Sequence, residues 1–101
     1  MVQDIWLPPV TDIEAEGQWL RGQLLAWLDR EFLAEAIHPA IAERAAQVYI
    51  RQRLEGEDLV SAIHIALLAE LRHFDFAMSA CSEFVVANAI AEILLAKLDI
   101  R

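Results

Sequence analysis

Two Glu-x-x-His pairs, Glu35 with His38 and Glu70 with His73, are the residues whose types and spacing most resemble a chemical site. Three residues along a helix is nearly one turn, so a carboxylate and an imidazole at that spacing can converge on one ion. Helical di-metal carboxylate sites use two such pairs and an inward glutamate from each of two further helices. Glu14, Glu16 or Glu31, together with Glu83 or Glu92, would complete the set by residue type.

Their placement argues against that set. His38 abuts Pro39, which puts the first pair at a helix boundary and not in the middle of a helix. At about 100° per residue, Glu70 and His73 fall about 60° and about 120° from the apolar line of their helix. Glu92 shares a line with Asn88 and Asp99, as solvated positions do. Glu70 and His73 therefore read as a flank residue and a helix-end residue, the histidine being favourable near a helix C-terminus. They remain the residues of an alternative reading, a small metal-binding bundle. The expectation is no metal and no other cofactor.

Nucleophilic chemistry finds equally little. Cys81 is the single cysteine, and pairing it with His64 or His73 leaves no recognisable oxyanion-hole turn, so it reads as a small core residue. His64 sits at the edge of an apolar stripe and reads as a packed or hydrogen-bonded histidine. No glycine-rich loop is present to cradle phosphate. The chain is expected not to be an enzyme.

Composition bounds the remaining classes. The chain has 101 residues, 57% of them apolar, with only three Gly and three Pro, which favours one helical domain over disorder. Sixteen acidic against eight basic residues give a net charge of −8, which repels phosphate backbones and anionic lipid, so nucleic acid is not an expected partner. A lone cysteine permits no disulfide within the chain and fits a reducing compartment. No apolar run reaches the ~20 residues of a membrane span, and "MVQDIWLPPV" lacks the pattern of a signal peptide. A cytoplasmic location is expected.

These residues must be positioned by an extended arm and four helices. Residues 1–10 form the arm, held extended by Pro8 and Pro9, with Ile5, Trp6 and Leu7 offering apolar surface. "TDIE" reads as a capping box with Thr11 as the cap and Glu14 reaching back, opening a first helix whose stripe is Ile13, Leu20, Leu24, Trp27 and Leu28. Pro39 opens a second helix that packs through Ile41, Ala42, Ala45, Ala46, Tyr49 and Ile50 and closes at Gly56. A third helix spans about Asp58 to His73, with the stripe Val60, Ile63, Leu67, Leu71 and Phe74 and with Ile65 almost opposite. The fourth, about Ser82 to Leu98, is capped by Ser82, or by Asp75 or Ser79 if it begins earlier, and is apolar nearly all round. An all-α four-helix bundle, antiparallel or as an orthogonal array, is the expected fold of residues 11–101.

The third and fourth helices carry more apolar surface than one core needs, and such a surplus marks association. Self-association as a homo-oligomer, a dimer, is expected through Ile65, Val85 and Leu95. A second surface for a protein partner is expected from Trp6, Trp19, Arg44 and Arg51, since aromatic and arginine side chains are enriched in binding hot spots. Two blander readings stand beside it. Arg44, Gln47 and Arg51, with Gln52 and Arg53 near them, can be an ordinary solvated face, and the arm can fold back so that Trp6 and Trp19 cover each other. A small-molecule or pigment pocket between apolar helices is a further alternative.

Overall fold

The arm ends where a carboxylate replaces the missing backbone partners of the first helix. In the computed structural model, which describes residues 4–76 and 80–99, Asp12 has non-helical φ and ψ of −137° and 98° and accepts a hydrogen bond from the Ala15 amide at 3.0 Å. Helix α1, Ile13–Glu31, follows. The cap is therefore Asp12 and not Thr11, one residue later than the capping-box reading. An aspartate cap is at least as good as threonine, and its charge, with Glu14 and Glu16 in the first turn, complements the helix dipole.

Helix α2, His38–Leu54, carries Pro39 in its first turn, where the missing amide costs nothing. It ends at Gly56, whose φ of 89° lies in the left-handed region. There the Gly56 amide donates to the Arg53 carbonyl and the Glu57 amide to the Gln52 carbonyl, at 3.1 and 2.9 Å. That pair of bonds is a Schellman motif, and it turns the chain sharply. Helix α3 is Val60–Leu71, shorter than expected by two residues at each end. Helix α4 is Glu83–Lys97, capped by Ser82, whose hydroxyl accepts from the Val85 amide at 3.4 Å. Of the alternative caps, Asp75 lies well upstream of this start and Ser79 lies outside the described residues.

Each helix packs on its chain neighbours, and α1 closes the ring against α4, giving an all-α four-helix bundle. The core joins the stripes legible in the first three helices, Leu20, Leu24 and Leu28 with Ile41, Ala45 and Tyr49 and with Ile63, Leu67 and Leu71, to Val86, Ile90 and Leu94 of α4, a face that its all-round apolar sequence did not single out. Alanines on α2 and Gly17 on α1 allow a close approach, since a Cβ at Gly17 would stand 2.9 Å from Ile50 Cγ1. Cys81 is buried, as a small core residue should be. Among the described residues no helix is long and apolar enough to cross a membrane.

The described part of the arm does not float. The Leu7 amide donates to the Asp58 carbonyl at 2.8 Å and the Val60 amide to the Ile5 carbonyl at 2.9 Å, which pairs Trp6 antiparallel with Leu59 and buries Leu7. These bonds hold the arm across the α2–α3 turn and satisfy backbone groups at the start of α3, where no side chain caps.

Candidate functional site

Four polar clusters fix the helices. Arg53, in the last turn of α2, is buried: its Nη2 donates to the Pro8 carbonyl and its Nη1 lies 3.1 Å from Asp58 Oδ1. It is a bracket between arm, α2 and the α2–α3 turn, and not part of a surface basic row as the sequence suggested. Its length allows this, because the aliphatic stem lies along apolar surface while the guanidinium reaches the arm.

His38 is completely buried at the start of α2. Its Nδ1 is 2.7 Å from Asp29 Oδ1 at the end of α1, and its Nε2 is 3.3 Å from Glu35 Oε1 in the connecting loop. Phe32 stands edge-on to the imidazole, with ring centres 6.4 Å apart. The Glu35–His38 pair is thus real as a contact, but it ties a loop, and solvent does not reach the ring.

Glu16, Tyr49, Lys97 and Trp19 form a chain of contacts joining α1, α2 and α4. The Tyr49 hydroxyl donates to Glu16 Oε2 at 2.6 Å and the Lys97 ammonium donates to Glu16 Oε1 at 2.8 Å. The same ammonium stands 4.0 Å from the centre of the Trp19 ring, a cation–π contact. Burial pushes the Glu16 carboxyl up, but the hydrogen bonds from Lys97 and Tyr49 overcome it and hold the group below its ordinary value. Burial and the hydrogen bond to Glu16 push the Tyr49 hydroxyl far up.

Arg44 and Arg51 on α2 both reach Glu70 on α3, Arg44 at 3.6 Å and Arg51 in a close hydrogen bond. This commits Glu70 to an interhelical clamp. His73 is exposed beyond the end of α3. Among the described residues no group of three or more His, Cys, Asp or Glu side chains is placed to hold a metal ion.

The four residues expected to form one partner surface are therefore spread over three places. Trp6 is 63% exposed beside the α2–α3 turn, Trp19 lies half-buried under Lys97 between α1 and α4, and Arg44 and Arg51 grip Glu70. The arm does fold back, but onto Leu59 and not onto Trp19.

The outer face of α3 and α4 is different. Ile65 is 65% exposed and Phe84 61% exposed, and both line one groove of about 390 Å³ with Leu68, Ala69, Arg72 and Glu83. Leu95 falls within about 20° of Phe84 on the α4 wheel, and Val85 within about 100°; both are half-buried. His64 bonds Asn88 across the two helices at 2.8 Å, as its reading as a hydrogen-bonded histidine expects. Arg72 and Glu83 make no ion pair among the described residues.

Sequence reasoning missed the burial of His38 and Arg53. A signal existed for Arg53, which follows the α2 stripe at Ile50 by three residues and so lies near its inner line. His38 carried a similar one, preceding Ile41 by three residues and Ala42 by four, although its bond to Asp29 at the end of α1 comes from a different element and has no period of its own. No curated protein and no solved structure matches the chain. A family model does match it, over residues 1–98, and the chain belongs to that family, the Domain of unknown function DUF8822.

Proposed function

We propose that this domain is a non-enzymatic interaction and assembly module that self-associates through the outer face of α3 and α4. One observation carries the reading: Ile65 and Phe84 stand more than half exposed on the two walls of a single groove. Isolated exposed apolar side chains are ordinary, but adjacent large ones on a shared concave surface mark an interface. Each being already about a third buried, covering the rest would contribute about 1–2 kcal/mol, so a two-fold contact using two per copy gains enough to offset part of the cost of association. Leu95 continues the Phe84 line along α4, and Val85 flanks it. Trp6, held on the arm with its ring outward, is the best placed of the expected partner contacts, with Trp19, Arg44 and Arg51 acting first within the bundle.

The test is solution mass by light scattering across a concentration series, for the parent chain and for Ile65→Ser with Phe84→Ser. The expected result is a dimer that the double substitution converts to a folded monomer. A parent monomer at every concentration would overturn the reading.

A second reading rests on the cleft of about 500 Å³ beneath the arm, lined by Leu7, Val10, Trp19, Arg53, Leu94 and Leu98 among others. Its size suits a small apolar molecule. Fluorescence of Trp19 titrated with an apolar dye checks it, saturable quenching being the supporting result. The metal-binding alternative is disfavoured by the engagement of Glu70 with two arginines, and elemental analysis of unchelated protein checks it.

A further inference from the structure

We infer that the second copy docks with its two-fold axis running along the crevice between α3 and α4, so that Arg72 of each copy pairs with Glu83 of the other. The inference rests on the self-association proposed above and adds its register and polarity. The His64–Asn88 bond fixes which levels of the two helices stand side by side. One turn further along α3 and one turn back along α4 come Leu68 and Phe84, and both line the groove. Arg72 and Glu83, at the same end, line it too, one on each wall.

A two-fold axis along that crevice exchanges the walls. It lays α3 of one copy over α4 of the other at the same height. Leu68 and Ile65 then face the second copy's Phe84, and Arg72 faces the second copy's Glu83. Two apolar contacts and two ion pairs arise from a single operation, as an isologous interface requires. A copy turned end for end would leave both Arg72 side chains opposite uncharged surface, and a slide by one helical turn would break the ion pairs while keeping apolar contact. The charges therefore select one docking mode among several that hydrophobicity alone would allow. They also act against the mutual repulsion of two chains each carrying a net charge of −8, a repulsion screened over about 8 Å at physiological salt.

The experiment is a charge-swap cycle in the full chain at physiological ionic strength. Dimer dissociation is measured by sedimentation for the parent, Arg72→Glu, Glu83→Arg and the double swap, with helical circular dichroism and thermal midpoint as folding controls. Glu83→Gln serves as a milder variant, because an arginine in the first turn of α4 opposes the helix dipole. Each single reversal is expected to weaken the dimer by about tenfold or more, and the double swap to restore it to within about threefold of the parent. A parent dimer unmoved by the single reversals, or a double swap no tighter than the singles, overturns this register while leaving self-association standing. A parent that never dimerises overturns both.

Discussion

At the arm end of the bundle a guanidinium is taken out of water and surrounded by groups of its own chain, whereas on the outer face of α3 and α4 a phenylalanine and an isoleucine stand 61% and 65% exposed. The first region places the more costly group inside, where one nitrogen donates to a carbonyl and another is ion-paired with a carboxylate. The second leaves the group cheapest to bury on the surface. Burial of Arg53 makes sense as internal fastening, since the arm covers the uncapped start of α3 only if something holds it. Exposure of Ile65 and Phe84 has no such internal account. Folding energetics explain the first region, and the proposed self-association would account for the second.

The strongest way to break the comparison is on α3 itself, where Ile65 and Leu67 are two residues apart and face opposite ways. Leu67 is completely buried, so Leu67→Ala is expected to cost about 3 kcal/mol, through lost burial and a cavity that the neighbours fill only in part. Urea unfolding of the dilute protein measures it. A loss under about 1 kcal/mol would mean that α3 does not present this face to the core.

Next comes the arm end. Arg53→Met keeps the length and the apolar stem but removes the bonds to Pro8 and Asp58, and it is expected to cost about 2 kcal/mol. Its specific sign is local. Amide exchange at Leu7 and Val60 should accelerate more than exchange in α1, because those two amides hold the arm to the turn. Uniform acceleration would show that Arg53 supports the whole bundle instead.

The Glu16–Tyr49 contact predicts a smaller loss with a pH signature. Tyr49→Phe removes one hydrogen bond to a carboxylate, about 1–1.5 kcal/mol near neutrality. Because the folded state holds Glu16 below its ordinary 4.5, the stabilisation from that carboxylate is complete above 4.5 and fades as pH falls through the lower folded value. Tyr49 titrates in the opposite sense. Its folded value is raised, so its contribution is complete below the ordinary 10.0 and is lost as pH climbs beyond it. In a urea-midpoint profile, Tyr49→Phe should flatten the alkaline limb above pH 10 while retaining an acid limb from Glu16 and Lys97. An unchanged alkaline limb would show that other groups set it.

The same contrast explains what could be read from residues alone. Apolar stripes repeat every turn, so Leu20, Leu24 and Leu28 on α1 and Ile63, Leu67 and Leu71 on α3 disclose both helices and their inward faces. Gly56 discloses its turn because few other residues tolerate that φ. The exposed apolar residue Ile65 was visible too, as an outlier from its stripe. Polar side chains carry no such period. Arg44 and Arg51 look like a free basic patch until α3 brings Glu70 to them, and Arg53 looks like their neighbour until the arm folds over it. The Asp12 cap was missed by one position, because Thr11 and Asp12 both suit an N-cap and backbone geometry chooses between them. Long-range partners of polar groups are a property of the fold, so the fastening was hidden while the bundle was legible.

The smallest expected effect on the monomer is the one that separates the two regions most sharply. Ile65→Ser changes a side chain already 65% exposed, so at low protein concentration its unfolding free energy should match the parent within about 0.5 kcal/mol. At higher concentration the two should diverge. A dimer that dissociates on unfolding gains stability with concentration, so the parent's midpoint should climb while that of Ile65→Ser stays level. Leu67→Ala, which alters the core and leaves the outer face intact, should be low at every concentration yet climb in parallel with the parent. If Ile65→Ser instead destabilised the dilute monomer as Leu67→Ala does, α3 would be buried on both faces within one chain, and the exposed groove would lose its claim to be an interface.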